Sequence, residues 1–75
     1  MKQMLIDLVQ AIVDYPEEVS VNEKVNGDTV VLELTVAKRD MGRVIGREGK
    51  IAKSIRTVMR AQAAREHKRV IVDIL

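Results

Sequence analysis

The chain has 75 residues, 47% of them hydrophobic, with one aromatic residue, Tyr15, and no cysteine. Such a length reads as a single domain over residues 1–75 without a linker, burying only ~60% of its chain surface around an aliphatic core. The lack of cysteine excludes a disulfide framework and a thiolate metal site, and no apolar run approaches the ~20 residues of a membrane span.

The net charge of +2 hides a segregation. Residues 1–37 hold two bases and seven acids, whereas residues 38–69 hold eleven bases and three acids. A strongly basic half points to a polyanion partner; for an average charge run, a solvated face is the more common explanation. The opening MKQMLIDLVQAIVDY has the outline of a secretory leader. However, Asp7 and Gln10 interrupt it and no small-residue cleavage site follows. A soluble, cytoplasmic protein is expected.

Leu5, Leu8, Val9, Ile12 and Val13 fall at helical spacing, so a helix is predicted over residues 2–14, ended by Pro16. Val19, Val21 and Val25 alternate as in a strand, and Asn26-Gly27 marks a hairpin. The next strand, residues 29–36, carries Val30, Leu32, Leu34 and Val36 on one face. Asp40 is a candidate N-cap for a short helix over about residues 40–45. A longer helix is predicted from about Lys50 to Arg65, and VIVDIL, residues 70–75, reads as a closing strand. The order α-β-β-α-turn-α-β predicts an α+β fold, with a three-stranded sheet and helices packed on one face.

The long helix places Ile51, Ile55, Val58, Met59 and Gln62 on one side and Lys53, Arg56 and Arg60 on the other. Between Glu48 and Glu66 there are five bases and no acid. Solubility alone favours mixed signs, because like charges one turn apart cost ~0.2–0.5 kcal/mol.

The most specific stretch is VIGREGK, residues 44–50. It is not a P-loop: Val44 stands where the first glycine belongs, and Ile51 where Ser or Thr is needed. A Gly-x-x-Gly turn alone is often just a corner between helices, with Gly46 as C-cap and Gly49 giving clearance. Its context points further. It lies before a helix N-terminus, where free N–H groups attract anions. Arg47 and Lys50 add charge there, and Val44 and Ile45 stand ready as an apolar floor.

Val44-Ile45-Gly46-Arg47-Glu48-Gly49, with Ile55 on the following helix, resembles the KH domain, whose Gly-x-x-Gly loop clamps the backbone of four nucleotides. The element order resembles the type II, prokaryotic arrangement. DYPEEVSV, DTVVLELTVAKRDMGRVIGREGK and AKSIRTVMRAQAA extend the likeness over nearly the whole chain, to the small stand-alone bacterial KH family of the KhpA/YlqC type. The resemblance implies a cytoplasmic binder of single-stranded RNA with broad targets and no cofactor or metal. For some members it implies RNA-chaperone work linked to cell shape and division. It also implies a homodimer, or pairing with a larger Jag (KhpB)-type KH protein. Gly46, Arg47, Glu48, Gly49 and Lys50 would form the phosphate clamp, with Arg43 assisting. Val44, Ile45, Ile51, Ala52 and part of strand 29–36 would line the groove, and Lys53, Arg56 and Arg60 would raise local RNA concentration. Two departures stand out: Ala52 replaces a larger aliphatic, which implies a shallower groove, and Glu48 places an acid at the loop tip.

Two other readings compete: a helix-turn-helix reader of duplex DNA, with residues 50–65 as recognition helix, and a pure dimerisation module. An enzyme is not expected. His67, the only histidine, stands among Arg65, Glu66, Lys68 and Arg69, and no metal-ligand spacing occurs.

Overall fold

Alternation along residues 29–36 organises the molecule: Val30, Leu32, Leu34 and Val36 all turn inward and are buried. The computed structural model describes residues 1–75. The regular elements are α1 (Lys2–Gln10), β1 (Ser20–Asn26), β2 (Thr29–Thr35), α2 (Met41–Ile45), α3 (Lys50–Arg65) and β3 (Arg69–Ile74), with single 3-10 turns at Pro16–Glu18, Lys38–Asp40 and Arg47–Gly49. The sheet order is β1-β2-β3, with β1 antiparallel and β3 parallel to the central β2. Leu5 and Val9 of α1, Val44 of α2, and Ile55 and Met59 of α3 pack onto Val21, Leu32, Leu34 and Val72 of the sheet. This is the expected α+β layer arrangement. No helix is long and apolar enough to cross a membrane.

The hairpin sits one residue later than the Asn-Gly signal suggests. Asn26 pairs with Thr29, so the two-residue loop is Gly27-Asp28, with positive φ at Gly27 alone. That is the pattern of a turn with glycine at its first central position. On the uncovered sheet face the Asn22 amide donates to Glu33 at 3.0 Å and the Lys24 ammonium stands 3.4 Å away. The Asn22 hydrogen bond, then Lys24, holds the Glu33 carboxyl below its ordinary range.

The first helix stops at Gln10, four residues before the predicted end. Its apolar spacing does continue, and Ile12 and Val13 still pack against the core. The backbone N–H groups of Asp14 and Tyr15, however, donate to the two carboxylate oxygens of Asp40, each at 3.0 Å. A continuing helix would have sent them back to the carbonyls of Gln10 and Ala11. Pro16 therefore lies beyond a termination already made. Asp40 does precede α2, but its side chain makes no capping bond there. Only 1% of it is exposed, and the exit of α1 uses its hydrogen-bonding capacity.

The end of α3 is closed by backbone alone. The Lys68 N–H donates to the Ala63 carbonyl at 2.8 Å and the His67 N–H to Ala64 at 3.1 Å. This is a Schellman closure with His67, at φ +58°, in the place glycine usually takes.

Replacing Asp40 with Ala removes the acceptor of two part-buried N–H groups and should lower stability by about 1–3 kcal/mol. Urea denaturation measures this. A midpoint equal to wild type would show that the carboxylate does not fasten the α1 exit.

Candidate nucleic-acid interface

The Gly-x-x-Gly loop gets its shape from the backbone. The Gly46 N–H closes α2 on the Gly42 carbonyl at 2.9 Å. Gly46 then takes φ 75°, ψ 173°, a region open essentially to glycine alone. A Cβ there would sit 2.5 Å from Cγ1 of Ile51. The absent side chain thus makes room for Ile51 rather than for a ligand. Gly49 differs: it is left-handed at φ 73°, ψ 14°, and a Cβ on it would meet nothing within 4 Å. It gives no clearance to the following helix; it allows the turn and leaves its outer side open. Glu48 is left-handed too, at φ 56°, ψ 24°. No side chain caps α3; the Lys50 N–H donates to the Arg47 carbonyl, and the positive end of the α3 dipole lies behind this turn.

The charges around the loop are free. The two ion pairs are Lys24 with Glu33 and Arg43 with Asp14, the second at 3.3 Å. Arg47, Lys50 and Lys53 are exposed and have no carboxylate partner. Arg43, expected to assist, instead shares its charge with Asp14 across the α1 exit.

Helical spacing carries a basic stripe away from the loop: Gly49, Lys53, Arg56 and Arg60 follow one face of α3. This face borders β3. The Arg56 Nε–H donates to the Val72 carbonyl at 3.2 Å. Around that contact a cleft of about 200 Å³ is lined by Arg56, Arg60, Val70, Ile71, Val72 and Asp73. Because β3 is an edge strand, its outer backbone faces this cleft. Beyond it, a hollow of about 470 Å³ is lined by Thr29, Arg60, Ala63, Lys68, Arg69, Val70 and Ile71.

Several expected contacts lie elsewhere. Val44, at 0% exposure, and Ala52, at 5%, belong to the core and form no floor for bases. The small residue at 52 therefore lets α3 approach the layer beneath it; it does not make the groove shallow. Ile51 leans over Gly46 and into an apolar furrow of about 220 Å³ with Leu8, Ile12 and Val58, on the side of α3 away from Lys53. Ile45 is exposed immediately before the loop. Strand 29–36 does not line the cleft and reaches only the hollow beyond it, at Thr29; β3 walls both. Arg56 and Arg60 are cleft residues rather than remote charge. Their one-turn spacing without an intervening acid is the sequence signal for them.

Residues 2–74 match the family model described as KhpA/KhpB, KH domain. The chain is similar to the RNA-binding protein KhpA of Clostridium acetobutylicum, with 51% identity over 75 residues and 100% of both chains covered. It is 47% identical to that of Clostridium perfringens, again over 100% of both. Against the Listeria monocytogenes protein, identity is 36% over 100% of this chain and 99% of the relative. Among solved structures, a variant of Aquifex aeolicus Era bound to GDP·AlF4− superposes with a TM-score of 0.68 at 15% identity, covering 97% of this chain and 28% of that one. Era in complex with MgGDPNP and nucleotides 1506–1542 of 16S ribosomal RNA gives 0.61 with the same identity and coverage. At that identity the likeness is one of fold.

The two glycines should respond differently to alanine. Gly46→Ala meets both a closed backbone region and Ile51 and should cost at least about 3 kcal/mol. Gly49→Ala meets only the left-handed penalty of about 1–2 kcal/mol. Thermal unfolding of the pair checks this; equal losses would contradict the assignment of Ile51 to the Gly46 space.

Proposed function

This chain belongs to the KhpA/KhpB KH-domain family, and we propose that it is a cytoplasmic RNA-binding protein that holds single-stranded RNA by its backbone, with loose sequence preference. The family is one of RNA-binding proteins rather than enzymes. One observation carries the reading: the Gly46–Gly49 turn, with unpaired Arg47 and Lys50, heads the face of α3 along which Lys53, Arg56 and Arg60 lead to the cleft at the edge of β3. Phosphates would sit on the open side of Gly49, beside Arg47 and Lys50 and at the positive end of the α3 dipole. The strand would then pass along Lys53 and Arg56, with base edges meeting the outer backbone of β3.

The chemistry of the cleft sets its character. No aromatic residue lines it. Tyr15 lies at the α1 exit, its hydroxyl accepting from Arg39 at 2.9 Å and its ring 5.8 Å from that guanidinium. Stacking at ~1–3 kcal/mol per base is therefore missing from the cleft, and phosphate contacts dominate. Modest affinity, broad targets and strong salt dependence follow, properties suited to an RNA chaperone or post-transcriptional regulator with links to cell shape. The helix-turn-helix alternative fits less well. The basic side of α3 is walled by β3, while Ala52, Ile55, Met59 and Ala63 are buried, so the helix does not project as a duplex reader must.

The apolar furrow of Leu8, Ile12, Ile51 and Val58 supports self-association, or pairing with a Jag (KhpB)-type protein, on the side of α3 away from the cleft. Val58 is 39% exposed. Light scattering after size exclusion should find a dimer that Val58→Glu dissociates; a wild-type monomer at high concentration would remove this part of the reading.

RNA binding is tested by fluorescence anisotropy with labelled single-stranded RNA at two salt concentrations. Arg47→Asp with Glu48→Asp keeps both glycines, and Asp tolerates the left-handed position. The double variant should fold normally by circular dichroism and lose at least about tenfold in affinity, in the range expected when one phosphate contact turns from attraction to repulsion. Unchanged binding would reduce the loop to a corner. Preference for duplex DNA in competition would favour the helix-turn-helix reading.

A further inference from the structure

The basic half of the chain is larger than a four-nucleotide clamp needs. A stacked strand advances ~3.4 Å per phosphate, so four nucleotides span ~14 Å. At ~1.5 Å per residue, that length runs from Lys50 to about Arg60. The charge does not stop there. Where α3 ends and β3 begins, Arg60, Lys68 and Arg69 converge on the hollow of about 470 Å³ that continues the cleft. Its floor is apolar, built from Ala63, Val70 and Ile71, and Ile71 is half exposed.

The geometry points to a second phosphate site in this hollow, formed by Arg60, Lys68 and Arg69, which extends the RNA path past the loop's reach and lengthens the footprint beyond four nucleotides. This rests on the RNA-binding reading above. Further observations support it. None of the three bases has a carboxylate partner. Two carbonyls in the last turn of α3, an end that repels anions, are engaged: Ala63 accepts from Glu66 and Lys68, and Ala64 from His67. The nearby Glu66 is held by the Gln62 amide at 3.0 Å, and Gln62 lines a separate hollow of α3 with Met4, Thr57 and Val58. Asp73 is the only acid lining the adjoining cleft, and it lies toward the other end of β3. The left-handed His67 and the donation of the Arg69 N–H to the Asp28 carbonyl at 2.8 Å fix the chain on which Lys68 and Arg69 are carried. The site is thus presented by closed backbone rather than by a free tail.

The experiment compares tetra-uridylate with deca-uridylate, both fluorescein-labelled, on the full chain. The variant is Lys68→Gln with Arg69→Gln, which leaves the loop untouched. Wild type should bind the longer RNA more tightly. The variant should weaken the longer RNA by about fivefold or more and reduce its salt slope by about 1.4, at ~0.7 per lost single-strand phosphate contact. Binding of the short RNA should not change. Unaltered binding of the longer RNA overturns the proposal and leaves this end as solvated surface or a seat for an acidic protein segment. Equal weakening of both lengths also overturns it, since it would mean a general field and not a separate site. If wild type binds neither RNA, this proposal and the RNA-binding reading both fall. If the loop variant abolishes tetra-uridylate binding while the Lys68 and Arg69 variant leaves both lengths unaffected, only this proposal does.

Discussion

The carboxylate of Asp40 joins the two halves of this chain. It is buried, and its two oxygens take the N–H groups of Asp14 and Tyr15. Burying a carboxylate is costly unless donors surround it, so the bonds hold one another in place. One end of the contact fixes where α1 stops. The other lies on the residue immediately before α2, tying that helix to the first, and α2 is only five residues long. The position of Gly46, and with it the loop and the entry to α3, therefore depends on a contact made to the first helix. Arg43 reinforces the same joint through Asp14.

From that joint the interface is largely a matter of backbone. Gly46, Glu48 and Gly49 all have positive φ within one short turn. The strain at Glu48, a non-glycine residue in the left-handed region, persists because α2 and α3 hold both ends of the turn. The glycines divide the labour: Gly46 admits Ile51 from within, while Gly49 keeps the outer side clear. A substitution at one acts on packing and at the other on access, although in sequence they look like equivalent members of one motif.

What the sequence made legible was mostly local. Alternation over residues 29–36 located β2 and its buried face, and helical spacing located α3 from Lys50 to Arg65. The α+β class and family likeness followed from element order and the loop. The end of α1 was not legible, because it is decided by Asp40, far along the chain. Val44 and Ala52 were placed in the groove because they flank the loop in sequence. The turn between α2 and α3 rotates both into the core. Strand order was likewise hidden: nothing in the composition of residues 29–36 or 70–75 says which forms the edge, and that decides which strand walls the cleft. His67 gave no warning of a left-handed cap, since glycine is the usual signal there.

The parallel pairing of β2 with β3 has a consequence for the order in which the molecule assembles. β1 and β2 are joined by a two-residue loop and can zip locally, but Thr29 meets Arg69 only after the whole of residues 36–68 has been gathered in. Closing so long a segment is entropically slow, and the closing strand has one neighbour instead of two. Of the two edge strands, β3 is the one whose pairing closes the long loop. It is also one wall of the cleft. A ligand held between α3 and β3 binds only molecules in which that last strand is seated, so occupancy and completion of folding are linked by mass action. A chain this small thereby gains a means of being stabilised most when it is in use.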